Sequence, residues 1–458
     1  MVKRSTKQAA AAPHEEEETY GSQIFAPYRA LGMVVDGLPV AIQHHAGESF
    51  IAASIGKSFH VYNVSKLKLV FVGPRLEKSI SCIAMWKRMV IAADTRIRLF
   101  HRGKLLTTLK GHVGTVRALL VLGDYLVSTG DDRTVRVWDL RSCEEAAAFS
   151  LPDDLTPTVL MHPPTYVNKI LVGTEEGVVQ LWNIRTRKLI YSFPSFGASV
   201  TCMEASTALD VAAIGLADGK VVVHNLKYDK TLMRFQHNEG GAVTALSFRS
   251  DTATNRSVTP TVVSGSEAGE VAIWNLQEQR LQVLMPNFHQ GAVSSLHFMP
   301  GEPILISSGP DNSLKTWIFD KMDGSARLLR SRSAHFRPPR MARFYKSAQQ
   351  MLTVGEDRSM RAFFTFQDRR NCELSQGHIE KRSKQLKVSG ESLRLTQCVG
   401  FAASHVRERD WNNIVSCHRN DPHAYLWSFE KKALATKSSL RLLTSDPCGS
   451  PPAGGGGW

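Results

Sequence analysis

The chain has 458 residues, of which 43% are hydrophobic and 21% charged, and its formal net charge at pH 7 is +14. That hydrophobic content is ample for a packed core, and no window approaches the roughly 18 uninterrupted apolar residues of a membrane-spanning helix. The N-terminal residues run from basic to alanine-rich to acidic, without the apolar stretch of a signal peptide. We therefore expect an intracellular protein with no membrane partner.

The seven cysteines are scattered and include no C-x-x-C pair. This pattern argues against a disulfide framework and against the spacings of common zinc sites. Cys82 and Cys202 lie in the similar segments 80–83 and 200–203, and segment 243–246 has an alanine at the equivalent position. We interpret both cysteines as small buried apolar residues, and we expect no metal and no cofactor.

A turn motif recurs nine times, with an aromatic residue or its substitute six positions after a residue that is acidic in seven of the nine cases. The motif ends at Tyr62, Phe100, Trp138, Trp182, His224, Trp274, Trp317, Phe363 and Trp427. The intervals of 38, 38, 44, 42, 50, 43, 46 and 64 residues resemble the WD-repeat period of about 40 to 45 residues per four-stranded blade. The sequence therefore predicts an all-β protein built from WD-repeat propeller blades.

The motifs also predict how the chain divides. Without the first and the last, seven motifs lie between residues 68 and 365, enough for one closed seven-bladed propeller. The motif at Trp427 then begins an incomplete second propeller, and N-terminal strands either join that propeller or add an eighth blade to the first. In chain order we expect a disordered tail at 1–23, N-terminal strands at 24–66, the seven-bladed propeller at 67–365, a basic linker loop at 366–402, the first blade of a second propeller at 403–446 and a flexible tail at 447–458.

The clearest repeat predicts strands at 116–120, 125–128 and 134–138, with turn chemistry at 130–133. In WD repeats a histidine, a serine or threonine, the turn aspartate and the tryptophan form one buried hydrogen-bond network. The residues of this chain that match it are His112, Ser128, Asp132 and Trp138.

A serine, a histidine and an aspartate also invite interpretation as a nucleophilic triad. The same trio recurs at similar offsets in two further repeats, with His289, Ser307 and Asp311 in one and His335, Thr353 and Asp357 in the other. An active site is built once, whereas a structural network repeats with the fold. We therefore interpret the trios as internal hydrogen-bond networks that stabilise the fold, and we expect no catalytic residue.

Positive charge concentrates between Arg327 and Arg394, where sixteen lysines and arginines face six acids, a net charge of +10. Two clusters contribute most of this charge, one of arginines between Arg327 and Arg343 and one between Lys381 and Lys387. We expect contact with RNA or a partner from Arg327, Arg330, Arg332, Lys381, Arg382, Lys384 and Lys387. Basic clusters are the electrostatic footprint of a phosphate-rich partner. A solvated surface loop or a nuclear targeting signal is the alternative.

Several segments that the blade pattern does not demand resemble one family, the tandem-propeller WD-repeat subunit of the UTP-B subcomplex of the small-subunit processome. These segments are 25–32, 56–62, 162–171, 210–216, 327–330 and 410–415. The resemblance spans about residues 24 to 445, although members of that family look roughly twice as long, with a complete second propeller and a helical C-terminal domain.

The resemblance implies a non-catalytic scaffold of ribosome biogenesis in the nucleolus, needed for pre-18S rRNA processing. Its implied partners are other UTP-B proteins, pre-ribosomal RNA and a snoRNP, contacted directly or through the complex. An alternative from another class is a WD-repeat adaptor that binds peptides, such as a ubiquitin-ligase receptor or a chromatin reader. A propeller hydrolase ranks third, because no acid pair or metal cluster stands outside the repeated positions.

Overall fold

The structure is a computed structural model that describes residues 30–45, 47–237, 240–251, 259–321, 323–346, 349–377, 379–386, 388 and 390–441. The tails expected at 1–23 and 447–458 lie outside these residues. Within them, 36 strands form nine four-stranded antiparallel sheets, all in one compact unit that begins at Leu31. The predicted all-β class is confirmed.

Each sheet is a meander of four consecutive strands. Sheets 1 to 3 comprise β1 Ala41–His45, β2 Glu48–Ile55, β3 Ser58–Asn63 and β4 Lys68–Val72; β5 Cys82–Trp86, β6 Met89–Ala93, β7 Ile97–His101 and β8 Lys104–Leu109; and β9 Val116–Leu122, β10 Tyr125–Gly130, β11 Thr134–Asp139 and β12 Glu144–Ser150. Sheets 4 to 6 comprise β13 Pro157–Met161, β14 Lys169–Thr174, β15 Val179–Asn183 and β16 Lys188–Ser192; β17 Val200–Ala205, β18 Val211–Leu216, β19 Lys220–Asn225 and β20 Lys230–Gln236; and β21 Val243–Phe248, β22 Thr261–Ser266, β23 Val271–Asn275 and β24 Arg280–Met285. Sheets 7 to 9 comprise β25 Ser295–Phe298, β26 Ile304–Gly309, β27 Ser313–Ile318 and β28 Arg327–Ser333; β29 Pro339–Tyr345, β30 Gln350–Gly355, β31 Met360–Phe364 and β32 Cys372–Glu373; and β33 Cys398–Ala403, β34 Ile414–His418, β35 His423–Ser428 and β36 Ala433–Arg441.

The strands differ in burial according to their place in the sheet. Second and third strands are mostly buried, and β22 and β23 are buried along their whole length, because neighbouring sheets cover both of their faces. Fourth strands form the outer edge, and β16 is exposed at every residue. The aromatic residue of the repeat motif lies on the third strand, where the register to the fourth strand shifts by a bulge, as between Val137 and Trp138.

The cores lie between sheets and not within them. One apolar cluster joins each consecutive pair of sheets from sheet 1 to sheet 7. A further cluster joins sheet 7 back to sheet 1, with Ile306 and Leu314 packed near Ile51 and Tyr62. Seven sheets between Ala41 and Ser333 therefore follow one another in contact, and the first packs on the seventh.

The N-terminal strands, whose pairing the sequence left open, thus pair with one another as sheet 1. Their boundary differs from the expected 24–66, because β4 at Lys68–Val72 is the fourth strand of this sheet. The motif that located each repeat ends on its third strand, so a boundary drawn just after a motif cuts off the fourth strand. The propeller expected at 67–365 would comprise sheets 2 to 8, and its end at 365 omits β32 at Cys372–Glu373. The apolar clusters instead join sheet 7 to sheet 1, and sheet 8 to sheet 9.

The contact between sheets 1 and 7 includes two stacked histidines. The rings of His44 and His297 lie 6.1 Å apart at an interplanar angle of 26°. Burial and, to a smaller extent, the charge of the nearby His44 lower the pKa of His297 to about 4. Burial also lowers the pKa of His44, although the carboxylate of Glu302 opposes this shift.

We expect this histidine pair to make stability depend on pH. A histidine whose folded pKa lies below its unfolded value of 6.5 binds a proton more readily in the unfolded chain. Its contribution to the stability of the fold is therefore complete above pH 6.5 and is lost as the pH falls towards about 4. For His297 the shift corresponds to roughly 3 kcal/mol. The His297→Phe variant should show a shallower fall of melting temperature between pH 6.5 and 4 than the parent, and an equally steep fall would contradict the assignment.

Sheets 8 and 9 share a separate core that includes Leu352, Phe364, Phe401 and Trp427. The linker loop predicted at 366–402 is not a loop throughout, because it contains β32, the start of β33, a helix, α1, at Ile379–Leu386 and short 3-10 helices at 368–370 and 390–393. The run of cations suggested a loop, yet lysine, arginine, glutamate, glutamine and leucine all favour helices. Helical propensity therefore outweighed the charge signal here.

Candidate functional site

The four residues of the predicted network come together in sheet 3. His112 Nδ1 lies 3.0 Å from Asp132 Oδ2, and its Nε2 lies 2.8 Å from Ser128 Oγ. The Trp138 indole N–H donates to the same Ser128 oxygen over 2.9 Å. Since that oxygen accepts from Trp138, its own hydrogen is free to donate to His112 Nε2, which leaves Nδ1–H to donate to Asp132. Every polar group of the network then has a partner.

The network recurs with variations. In sheet 7 the His289 ring joins Asp311 and Ser307 at 3.0 and 2.8 Å, and Trp317 donates to Ser307 over 3.0 Å. In sheet 8 the His335 ring joins Asp357 and Thr353 at 3.0 and 2.7 Å, while Phe363 has no polar group to contribute.

Sequence reasoning missed a partial network in sheet 6. There His237 Nε2 lies 2.6 Å from Ser264 Oγ, which accepts from the Trp274 indole over 2.7 Å. The turn position that would supply the aspartate is Ala268. A serine ten residues before the tryptophan is the signal that could have found it, since Ser128 and Ser307 have that spacing.

The environment of these trios is structural in character. Ser128 and Ser307 are fully buried, so no substrate could reach their hydroxyls without displacing the tryptophan that donates to each. Burial lowers the pKa of His112 and His289 and favours their neutral forms. Burial alone would raise the pKa of Asp357, but hydrogen bonds from His335 and Ser359 hold it at about 2. A neutral histidine bonded to an ionised aspartate is a stable buried arrangement.

A second repeated device, not predicted from the sequence, joins neighbouring sheets. A hydroxyl near the start of a first strand donates to a backbone carbonyl in the next sheet's first strand or within two residues before it. Ser81, Thr158 and Thr244 donate to the carbonyls of Val116, Val200 and Val293 over 2.7, 2.6 and 2.6 Å, and Thr201 donates likewise to Val243. The similarity of segments 80–83, 200–203 and 243–246 was the sequence signal for this bond. It was interpreted through the cysteine or alanine of each segment, whereas the bond is made by the hydroxyl residue directly before it.

Replacing Thr244 with valine should destabilise the protein with little change in shape. The variant loses the hydroxyl and leaves the Val293 carbonyl without this donor at the contact between sheets 6 and 7. We expect the free energy of unfolding to fall by about 1 to 2 kcal/mol, measured by chemical denaturation. The Thr244→Ser variant retains the donor and serves as the control, and equal loss in both variants would contradict the role of the hydroxyl.

Two of the predicted RNA-contact arginines are engaged within the protein. Arg332 is packed over the Tyr62 ring at 4.9 Å, donates to the Leu67 carbonyl over 3.1 Å and forms an ion pair with Asp368. Arg327 is exposed on β28 but paired with Asp320 at 2.7 Å. Arg332 therefore joins sheets 1 and 7, and its charge is already balanced.

The other cations have different surroundings. Arg330 on β28 is exposed, and so are Lys381 and Arg382 on α1; none of the three has an ion-pair partner among the residues that the structure describes. Lys384 lies on α1, and Lys387 falls outside the described residues. The two predicted clusters thus lie on different elements, β28 and α1.

Three more exposed arginines lie at the start of sheet 8, close in sequence to Arg330 on β28. Arg337, Arg340 and Arg343 are exposed and lack a carboxylate partner within the described ranges, while Arg343 lies 5.7 Å from the Phe401 ring.

In the described ranges, no group of three or more histidine, cysteine or acidic side chains could hold a metal ion. No helix there is long and apolar enough to cross a membrane.

The sheets are four-stranded meanders that pack face to face, and a network of histidine, serine, aspartate and tryptophan recurs among them. These two features define a WD-repeat β-propeller protein. The family described as the WDR36/Utp21 first β-propeller matches residues 51–320. The chain belongs to this family.

Three relatives support this membership. The chain is 36% identical to the U3 small nucleolar RNA-associated protein 21 homolog of Schizosaccharomyces pombe, with 98% of this chain and 50% of the relative covered. It is 36% identical to WD repeat-containing protein 36 of Homo sapiens, with coverage of 91% and 47%. Identity to U3 small nucleolar RNA-associated protein 21 of Saccharomyces cerevisiae is 28%, with coverage of 90% and 46%. The chain spans about half the length of these relatives.

A solved structure is similar in fold alone. The computationally designed Ika8 protein matches 73% of this chain and 99% of its own, with a TM-score of 0.50 and 20% sequence identity.

Proposed function

We propose that this chain is a non-catalytic scaffold of ribosome biogenesis, a component of the small-subunit processome needed for pre-18S rRNA processing. The observation that carries the proposal is its membership of the WDR36/Utp21 family, two of whose members are named for association with U3 small nucleolar RNA. Its location would be the nucleolus. Its partners would be other UTP-B proteins, pre-ribosomal RNA and the snoRNP that carries U3.

The architecture is suited to such a role. We propose that the seven sheets from Ala41 to Ser333 form the first propeller, and that sheets 8 and 9 belong to a second, incomplete one. Buried networks and inter-sheet hydroxyl bonds hold the sheets in a fixed arrangement. A scaffold needs such rigid surfaces, because binding then costs little ordering of the protein.

Direct RNA contact in this proposal rests on exposed cations that lack internal partners. Among the described residues these include Arg330, Lys381 and Arg382, together with the cluster Arg337, Arg340 and Arg343. Phosphates bind such side chains by neutralisation and counterion release, which makes affinity depend strongly on salt. Arg327 and Arg332 are weaker candidates, because carboxylates already balance their charges.

Affinity purification of the tagged chain, with and without RNase, tests the proposal. We expect U3 snoRNA and UTP-B proteins to co-purify, and the protein partners to persist in part after RNase treatment. Co-purification of a ubiquitin ligase or of modified histones, without U3, would favour the peptide-binding adaptor and overturn the scaffold proposal. A hydrolytic activity that depends on Ser128 would overturn its non-catalytic character.

A further inference from the structure

Two segments that carry the family resemblance, 162–171 and 210–216, meet at one end of sheets 4 and 5. The loop from β13 to β14 and the loop from β17 to β18 line a shared cleft, whose walls include Pro163, Pro164, Leu209 and Leu226. A hydrogen bond of 2.9 Å from the Thr165 hydroxyl to Asp210 joins the two loops. The strand pattern requires neither the prolines nor this bond, so the surface invites a functional explanation.

Three large apolar side chains extend into solvent from these loops and from an adjacent turn. Val167 is 79% exposed, Leu209 75% and Tyr228, in the turn between β19 and β20, 72%. The neighbouring edge strand β16 adds exposed leucine, isoleucine and tyrosine side chains, and its Tyr191 hydroxyl donates to Asp229 of that turn over 2.6 Å. An apolar surface that extends over adjacent loops and an edge strand is typical of a site for another molecule.

The charges around this surface are mostly positive. Arg185, Arg187, Lys188 and Lys227 are exposed, and none has a carboxylate partner in the part of the chain that the structure describes. The backbone bond from Ile184 N–H to the Asn168 carbonyl, 3.0 Å long, places the first three beside the loop that contains Val167.

The acids of the surface are already engaged. Asp210 accepts from Thr165, and Asp229 accepts from Tyr191 and lies 3.1 Å from the His224 ring. Hydrogen bonds from neutral hydroxyls leave both carboxylates charged, but the four cations outnumber these two acids, so the surface keeps an excess of positive charge for a ligand.

We propose that this surface, formed by the loops 162–168 and 206–210, the turns 184–187 and 226–229 and the strand β16, binds an extended acidic peptide of a partner protein through apolar anchors. Among the residues that the structure describes, the cleft between the loops is lined by prolines and aliphatic side chains and by no aromatic ring, whereas the exposed Tyr191 and Tyr228 lie beside it. Such walls suit leucine, isoleucine or phenylalanine side chains better than they suit bases, which stack on aromatic platforms. The surrounding arginines and lysines would pair with acids that flank the anchors, which adds specificity and speeds association. The inference rests on the scaffold function proposed above, because it supplies one of the surfaces that a scaffold needs.

Site-directed photocrosslinking tests the proposal in cells. The full chain would carry p-benzoylphenylalanine at position 209, and the matched control would carry it at Val113, which is 80% exposed and precedes the first strand of another sheet. We expect position 209 alone to crosslink to a defined segment rich in acids and apolar residues. Crosslinking no stronger than at position 113, or crosslinking chiefly to RNA or to a basic segment, would overturn the proposal.

A binding measurement with that segment as a synthetic peptide completes the test. The double variant Arg185→Glu with Lys188→Glu should weaken binding at least tenfold, and a peptide with lysines in place of its acids should recover part of the loss. The control Lys66→Glu with Lys68→Glu makes the same charge change at exposed positions of sheet 1 and should leave binding unaltered. Binding that is insensitive to the first pair would also overturn the proposal.

The same cells distinguish this inference from the scaffold proposal. If U3 snoRNA co-purifies with the chain while position 209 shows no specific crosslink, only the surface assignment fails. If U3 is absent from the purified material, the scaffold proposal fails whatever position 209 contacts.

Discussion

Replacing Trp138 with alanine should lower the free energy of unfolding by about 3 to 5 kcal/mol, as expected for the loss of a buried aromatic side chain. The indole fills the core between sheets 2 and 3, and its N–H donates to Ser128. The variant therefore opens a cavity and removes a donor from a buried network that involves His112 and Asp132. Chemical denaturation monitored by circular dichroism would measure the change.

Two further variants separate the causes. Trp138→Phe retains most of the packing but removes the N–H, so it should lie between the parent and the alanine variant. Trp411→Ala removes a tryptophan that is 68% exposed and should change stability by less than about 1 kcal/mol. A Trp138→Ala protein as stable as the parent, or one that lost a discrete catalytic activity while remaining stable, would contradict the structural role of the network.

Neutralising the basic helix segment should weaken RNA association strongly and flatten its dependence on salt. In this variant Lys381, Arg382, Lys384 and Lys387 become serine. Lys381 and Arg382 are exposed on α1, so the variant should fold normally. Each lost phosphate contact lowers the log–log slope of affinity against salt by roughly 0.7 to 0.9 units. Loss of all four contacts would lower the slope by about three and the affinity at physiological salt by at least about tenfold.

A matched variant controls for net charge. Lys66, Lys68, Arg75 and Lys78 are exposed in sheet 1 and the segment after it, and their replacement by serine removes the same four charges. Binding of labelled pre-ribosomal RNA to both proteins across a salt series would distinguish a local contact from a general field. If both variants lose affinity equally, α1 is not a specific contact. If affinity is unchanged and only nuclear entry fails, the segment is a targeting signal.

The spacing of the repeat motif was sufficient to predict the all-β class and the third strand of each sheet, but not where each sheet ends. It succeeded because each blade needs a turn and a buried residue at the same place on its third strand, as at Asp132 and Trp138. The network of His112 was equally visible, since its members lie within one repeat and meet through local strand pairing. Contacts of this kind are encoded at short range.

Only the tertiary structure shows which sheets pack on each other and which residues of different repeats are in contact. The packing of sheet 1 on sheet 7 joins Tyr62 to Leu314, and no local pattern indicates which distant sheet covers an apolar face. The same limit applied to Arg332, whose charge suggested RNA until its contacts with Tyr62, Leu67 and Asp368 were visible. It applied also to the surface around Leu209, which exists because two loops from successive sheets meet. Periodicity in a sequence specifies the faces of each sheet, whereas the partner of each face depends on how the whole set of sheets closes.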